Sequence, residues 1–297
     1  MGNKPSVRKR SLHADDSSAT PVDGLTFRAV MEHKHVRPEQ APRLRTPLDQ
    51  KITNAIKERW HDRSQRVKEK ESHLTRILLK LPQAAAAFNS VRSTFQAYDK
   101  ENRGYIEFND LYIVFEQLGA NFSAEEISQV FKESDMMMTG KLNFNEFLLC
   151  LAIGFVLHKI PSLEGEHDQL SIFYAPMSRV GNRSASSQSI LFGKGNKLRL
   201  AFQLAVDAFL WFDVDGDGVI NRAEMSAKLQ NSMALHSPTR KMSANRRNKD
   251  AGNDSSNQAI WEQRFMEMDW NGDGTIHFKE FLMAFEFWVG LEEEMTS

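Results

Sequence analysis

The sequence has almost no cysteine and no long hydrophobic segment. Cys150 is its only cysteine in 297 residues, so no internal disulfide can form, and we expect this residue to be a small buried side chain. Such cysteine usage is typical of a reducing compartment. The longest apolar run, from Phe147 to Leu157, is shorter than the roughly 20 residues of a membrane-spanning helix, so we interpret it as core. With no secretory signal pattern in view, we expect a cytoplasmic protein.

Sequence motifs of the common enzyme classes are also missing. We find no glycine-rich phosphate loop, no clustered Cys and His with zinc-ligand spacing, and no nucleophile motif. We therefore expect neither enzymatic activity nor a nucleic-acid partner.

Two twelve-residue segments near the C-terminal end carry the clearest chemistry. They are DVDGDGVINRAE, residues 213–224, and DWNGDGTIHFKE, residues 269–280. Each places side-chain oxygens at positions 1, 3, 5 and 12 and a main-chain carbonyl at position 7, which is the ligand pattern of an EF-hand calcium loop. We expect two bound Ca²⁺ ions, and the candidate ligands are Asp213, Asp215, Asp217, Val219 and Glu224 in the first loop and Asp269, Asn271, Asp273, Thr275 and Glu280 in the second.

Two earlier segments keep the shape of this pattern and lose part of its chemistry. In DKENRGYIEFND, residues 99–110, Arg103 puts a cation at position 5, and position 12 is an Asp rather than the usual bidentate Glu. In DMMMTGKLNFNE, residues 135–146, Met137 offers position 3 only a thioether, which is too soft for calcium. We expect both loops to be mainly structural, and the weak candidate ligands of the first are Asp99, Glu101, Tyr105 and Asp110.

The residues that shape the turn are present in all four loops. Position 6 is always glycine, and position 8 is always aliphatic: Ile106, Leu142, Ile220 and Ile276. We expect the position-8 residues to join the loops in pairs through short β-bridges. Apolar residues at helical spacing flank the loops, so the sequence predicts an all-α protein made of two EF-hand pairs.

The spacing of the loops suggests the domain organisation. The first two loops start 36 residues apart and the last two 56 apart, so the second pair carries a polar insertion. We expect that insertion to be mobile because it has almost no apolar residues to bury. The predicted segments are a disordered basic arm at 1–45, a basic amphipathic helix at 46–82, a degenerate EF-hand pair at 83–160, a linker at 161–197, and a calcium-binding pair at 198–292 with its insertion at 236–256.

Charge is divided unevenly along the chain. Residues 1–80 hold 18 Lys and Arg against 10 Asp and Glu, whereas the rest holds 20 against 29. Within the basic part, Thr46 and Pro47 form a helix-start signal, and apolar residues follow at helical spacing as far as Pro82. Two interpretations of this helix remain open. It packs as core of the first pair, or it covers a lobe as an intramolecular lid, since EF-hand grooves accept basic amphipathic helices.

The first six residues, Met-Gly-Asn-Lys-Pro-Ser, match the N-myristoylation pattern at Gly2. Because one acyl chain binds membranes only marginally, a second signal is needed, and Arg8, Lys9 and Arg10 supply a basic patch. We therefore expect a lipoprotein that contacts an anionic membrane at its cytoplasmic face.

Taken together, these loops resemble the EF-hand superfamily, and most closely the larger plant calmodulin-like proteins. The segment RFMEMDWNGDGTIHFKEFLMAFEFWVGLEEE and the run LTRILLKLP are the most similar parts. The resemblance implies a calcium-responsive regulator that exposes an apolar surface and engages amphipathic helices of target proteins. Two alternatives stay open: a calcium buffer, and a regulatory subunit resembling calcineurin B that holds one dedicated partner enzyme.

Overall fold

The structure, a computed structural model, describes residues 46–66, 73–164, 197–235 and 262–291. These residues are mainly helical, as the sequence predicts, with two short strands. The predicted basic arm with Gly2, the insertion 236–256 and most of the linker lie outside the described residues. The helices are α1 Pro47–Arg66, α2 His73–Asn89, α3 Arg92–Tyr98, α4 Phe108–Gln117, α5 Ala124–Ser134, α6 Phe144–Val156, α7 Lys197–Phe212, α8 Arg222–Leu235, α9 over residues 262–268 and α10 Phe278–Trp288; the strands are β1 Ile220–Asn221 and β2 Thr275–Ile276.

The predicted start of the first helix is confirmed. The Thr46 hydroxyl accepts a hydrogen bond from the Asp49 amide at 3.1 Å, and the Asp49 carboxylate accepts one from the Thr46 amide at 3.3 Å. This reciprocal cap satisfies main-chain N–H groups that the first helical turn leaves without partners.

The predicted end of the basic helix at Pro82 is wrong in one respect. Helix α2 continues through Pro82 to Asn89. A proline in a helix interior normally costs about 3 kcal/mol because it removes a hydrogen bond and crowds the preceding turn. The residues after Pro82 offset that cost through burial: Ala84, Ala87 and Phe88 are all at most 2 % exposed.

The four loops pair as their position-8 residues predict. Ile106 and Leu142 form an antiparallel bridge, and each donates its amide to the other's carbonyl at 2.9 Å. Ile220 in β1 faces Ile276 in β2. The helix-loop-helix units therefore form two pairs, one from α3 to α6 and one from α7 to α10.

The two pairs share a single hydrophobic core. Buried side chains from both belong to one cluster, rather than to two separate cores. Phe88 of α2 lies at its centre, with ring centroids 5.5 Å from Phe202 and 6.5 Å from Phe285. Phe155, at the end of the first pair, stacks on Phe202 at 5.8 Å. The degenerate pair and α2 thus pack directly on the pair that carries the two complete loops.

Helix α1 also belongs to this common core and touches both pairs. Leu48, Ile52 and Ile56 on its apolar face are at most 3 % exposed. Arg59 on the same helix donates to the carbonyls of Phe155 and Val156 at 3.1 and 3.2 Å. These contacts agree with the interpretation of α1 as core.

Two further features concern burial and length. Cys150 is fully buried in α6, as expected. Within the described residues, no helix is long and apolar enough to cross a membrane.

Candidate calcium loops

All four loops share the same hydrogen-bonded frame. In each, the Asp at position 1 accepts a hydrogen bond from the amide of the Gly at position 6. The nitrogen–oxygen distances are 2.6 Å for Asp99 and Gly104, 2.8 Å for Asp135 and Gly140, 3.2 Å for Asp213 and Gly218, and 3.0 Å for Asp269 and Gly274. The glycines have φ between 73° and 84°, in the left-handed region that favours glycine. The first Asp therefore has a structural task that does not require an ion.

Loop 213–224 gathers three carboxylates around one point. One oxygen each from Asp213, Asp215 and Glu224 lies within 4.8 Å of the other two. Glu224 is held there because its Oε1 accepts from the amides of Val214 and Asp215 at 2.8 and 3.2 Å. Asp217, the predicted position-5 ligand, instead accepts from the Val219 amide at 3.0 Å. Convergent carboxylates of this kind are the usual ligands of a hard divalent cation.

The electrostatics of this loop fit a cation site. Burial raises the pKa of Asp213 to about 7, and repulsion from Glu224 and Asp217 acts in the same direction. Hydrogen bonds from the Gly216 and Gly218 amides oppose that rise. A divalent cation among these oxygens would offset the repulsion, because its charge favours the ionised carboxylates.

Loop 269–280 has a comparable arrangement with one buried oxygen left over. Glu280 accepts from the amides of Trp270 and Asn271 at 2.9 and 3.0 Å, as Glu224 does in the other loop. Asp269 Oδ1 is buried and has no hydrogen-bond partner among the described residues. An unsatisfied buried carboxylate oxygen is costly unless it coordinates an ion. The donor set of this loop therefore fits calcium as well.

Burial also changes the acidity of the ligands in this loop. It raises the pKa of Glu280 to about 7, with smaller contributions from the neighbouring Asp269 and Asp273 carboxylates. Burial would raise the pKa of Asp273 too, but hydrogen bonds from Thr275 and Asn271 outweigh it, and that pKa is lowered. His277, which the sequence pattern did not single out, lies 3.3 Å from Asp273 through Nε2.

Loop 99–110 carries its own cation close to the weak candidate ligands. The Arg103 guanidinium lies 3.5 Å from Glu101 and donates to the Tyr105 hydroxyl at 3.2 Å. Asp110 accepts from the Glu107 amide at 3.0 Å, as the capping residue of α4. Positive charge in the loop competes directly with a bound cation, which supports the prediction of a mainly structural loop.

Loop 135–146 retains the acidic residue at position 12 and little else. Glu146 is 1 % exposed and accepts from the amides of Met137 and Asn143 at 3.0 and 2.9 Å. Met137 therefore contributes its main chain to the turn, whereas its side chain adds no oxygen.

One contact of loop 213–224 could not be anticipated from the loop sequence. Trp60 of α1 donates through Nε1 to the main-chain oxygen of Asp213 at 3.0 Å. The two residues are 153 positions apart, and no local pattern connects them.

Comparisons with known proteins agree with these loops. The family model described as an EF-hand domain pair matches residues 88–149, and that described as an EF hand matches residues 205–229. The sequence is 28 % identical over 217 residues to the probable calcium-binding protein CML22 of Arabidopsis thaliana, covering 73 % of this chain and 78 % of that protein. It is 27 % identical over 265 residues to the probable calcium-binding protein CML21 of the same plant, covering 89 % and 93 %.

A calcineurin component is also among the similar proteins. The calcineurin B protein of Naegleria gruberi is 28 % identical over 189 residues, which cover 61 % of this chain and 89 % of that protein. The resemblance to the EF-hand superfamily, and within it to plant calmodulin-like proteins, is confirmed by the family models and the two Arabidopsis relatives.

Proposed function

We propose that this EF-hand chain is a calcium sensor that binds two Ca²⁺ ions, one in loop 213–224 and one in loop 269–280. The observation that carries the proposal is the convergence of the Asp213, Asp215 and Glu224 carboxylates within 4.8 Å. The unpartnered Asp269 oxygen supports the second site. Calcium, when bound, supplies the positive charge that these oxygens need.

The chain connects its ligands directly to helices. Glu224 lies in the first turn of α8, and Glu280 lies in the first turn of α10. A displacement of either carboxylate therefore moves the start of a helix. In sensor EF-hands such movements open the helix pair and expose an apolar groove for a partner helix.

The apolar side chains that such an opening would expose are mostly covered in this structure. Met225, Met283 and Phe285 are at most 3 % exposed, whereas Trp288 is 41 % exposed. Phe88 of α2 covers Phe285. Opening would therefore require α10 to part from α2, and the exposed surface would suit an amphipathic helix of a target protein.

A buried acid in α10 supports opening rather than passive buffering. Both carboxyl oxygens of Glu286 are buried without a hydrogen-bond partner among the described residues. Burial, together with the nearby Glu146, raises the pKa of Glu286 well above its usual value. An unsatisfied buried carboxyl destabilises the packed arrangement, and hydration in an open arrangement would remove that cost.

The test is the binding of a hydrophobic dye at rising calcium concentration. A sensor should gain dye fluorescence, because apolar surface becomes accessible, and the double variant Glu224→Gln, Glu280→Gln should lose the gain. Asp110→Asn, at position 12 of a degenerate loop, is the matched control and should behave as wild type. Calcium binding without any gain in fluorescence would identify a buffer instead.

A second candidate is a constitutive regulatory subunit. The similarity to a calcineurin B protein favours it, as does the shortage of ligands in the first pair. In that case one stoichiometric partner would co-purify equally well with calcium and with a chelator. Partner capture that requires calcium would exclude this candidate.

We extend the proposal to the membrane on sequence grounds. Gly2 and the basic residues Arg8, Lys9 and Arg10 are suited to an acylated, anionic-membrane contact at a cytoplasmic face. Gly2→Ala should move the protein from the membrane to the soluble fraction. Identical partitioning of wild type and variant would rule out the anchor.

A further inference from the structure

Helix α1 covers the outer side of one calcium loop. Besides its hydrogen bond to Asp213, the Trp60 ring lies so close to Gly216 that a Cβ there would meet ring carbon Cδ2 at 2.4 Å. A Cβ on Gly218 would meet Thr53 Cγ2 at 2.8 Å. Separations under about 3 Å are closer than van der Waals contact, so these two glycines allow α1 to reach the loop backbone.

The other three loops have no such cover within the described part of the chain. A Cβ built on Gly104, Gly140 or Gly274, the equivalents of Gly218, meets no described atom within 4 Å, and Gly272, the equivalent of Gly216, is equally open. The contact with α1 is therefore specific to loop 213–224 and is not a general property of the fold.

The cover leaves the ligand side of the loop intact. Trp60 bonds the main-chain oxygen of Asp213 and packs on a glycine, and neither group is among the expected ligands. With α1 docked in this way, the carboxylates of Asp213, Asp215 and Glu224 converge. The docked arrangement is thus one in which the calcium site is already formed.

The same helix is tied to the degenerate pair. Arg59, adjacent to Trp60, holds the carbonyls at the end of α6, and its guanidinium lies 4.9 Å from the centre of the Phe155 ring. Lys51, further along α1, lies 3.5 Å from Glu126 of α5. Helix α1 therefore connects a calcium loop of one pair to the body of the other.

We infer that Trp60 is a positioning residue for calcium in loop 213–224: docking of α1 preorganises this loop, and calcium in the loop stabilises docked α1 in return. The inference rests on the proposed function, since it requires this loop to bind calcium. Reciprocity follows from linkage, because each event changes the other's equilibrium by the same factor.

Calcium titration of the full chain tests the inference one loop at a time. Glu280→Gln leaves loop 213–224 as the remaining complete site, and Glu224→Gln leaves loop 269–280. Adding Trp60→Ala should weaken calcium binding about tenfold in the first background, a typical size for coupled sites. It should leave the second background within about twofold of its parent, since coupling is confined to the loop that α1 touches.

A matched pair of glycine substitutions removes the ambiguity of a deleted tryptophan. Gly216 and Gly272 occupy the same loop position and have φ of 74° and 71°, so alanine imposes the same backbone strain on both. Gly216→Ala should weaken its loop by more than Gly272→Ala weakens the other, because only the former displaces Trp60. In a Trp60→Ala background, this excess penalty should disappear.

Hydrogen exchange supplies the reciprocal measurement. Calcium should slow exchange of the α1 amides in wild type and in Glu280→Gln, but not in Glu224→Gln. The inference is overturned if Trp60→Ala weakens both loops equally or neither. It is also overturned if the two glycine variants lose equal affinity, a comparison that remains decisive should Trp60→Ala fail to fold. Absence of calcium binding by Glu280→Gln itself would instead refute the proposed site in loop 213–224.

Discussion

The degenerate pair and the complete pair have the same loop frame and different ligands. In both, the first Asp binds the Gly amide at position 6, and the position-8 residues bridge the loops. In the complete pair, carboxylates converge, whereas in loop 99–110 the Arg103 guanidinium lies beside Glu101. The difference shows that the EF-hand turn can be maintained by hydrogen bonds alone, and that calcium chemistry depends on a few additional side chains.

The degenerate pair has a structural task in this molecule. Phe155 at its end stacks on Phe202, and Glu133 of α5 bonds Lys279 of α10 at 2.5 Å. We interpret the first pair, together with α1 and α2, as the surface against which the complete pair packs. Variants can test each side of this comparison.

The largest expected effect is the loss of an ion. Glu224→Gln and Glu280→Gln should each remove one of two calcium ions, because the bidentate position-12 carboxylate is a dominant ligand. Calorimetry should show one remaining site in the sensor range of roughly 10⁻⁷ to 10⁻⁵ M. Four sites of equal affinity in wild type would contradict the distinction between the pairs.

The reverse experiment should give a degenerate loop an ion. Arg103→Asp combined with Asp110→Glu replaces the cation at position 5 and restores the longer acid at position 12. We expect a third calcium site, with a Kd on the order of 10⁻⁴ M or tighter. Arg103→Leu with Asp110→Glu removes the cation without adding the position-5 oxygen, and calorimetry should find two ions. A third ion in this control would show that charge alone had silenced the loop.

How much of this could be predicted from the sequence depends on the distance between the interacting residues. The loops, the position-8 bridges and the Thr46 cap follow short patterns, because their hydrogen bonds connect near neighbours or repeated motifs. Trp60 and Asp213 are 153 positions apart, and Lys279 and Glu133 are 146 apart. Neither contact has a local signature. The continuation of α2 through Pro82 likewise depends on tertiary burial, which overrides the local preference.

The next effect concerns the packing of α2 on the complete pair. Phe88→Ala should lower the free energy of unfolding by about 3–5 kcal/mol, because it leaves a cavity among buried aromatic rings. Urea denaturation measures the loss. Leu79→Ala on the same helix is the control, since Leu79 is 73 % exposed, and it should cost less than about 0.5 kcal/mol.

The same variant separates the two roles considered for this part of the chain. If α2 only completes the core, Phe88→Ala should be less stable and should bind a generic amphipathic peptide no better than wild type does. If α2 acts as a lid, calcium-dependent peptide binding should rise, because a tethered competitor has been weakened. Unchanged stability and unchanged binding would contradict both roles.

The smallest expected effect concerns the ion pairs between the two regions. Lys279, next to the ligand Glu280, lies 2.5 Å from both Asp49 of α1 and Glu133 of α5, and its side chain is 10 % exposed. Lys279→Met should cost about 1–3 kcal/mol, the usual range for buried hydrogen bonds to charged groups. Lys51→Met is the control, because Lys51 is 55 % exposed in its pair with Glu126, and it should cost less than about 1 kcal/mol.

The pH dependence of that loss has a definite sign. Burial acts to raise the pKa of Asp49, but attraction and hydrogen bonding from Lys279, with a further bond from Thr46, lower it below its ordinary value of 3.8. A lowered carboxyl pKa contributes stability that is fully present above the unfolded value and is lost as the pH falls through the folded value. The difference between wild type and Lys279→Met in urea denaturation should therefore be constant near neutral pH and shrink below about pH 4. A difference that grows on acidification would show that Lys279 stabilises the contact between the two pairs through packing rather than through its charge.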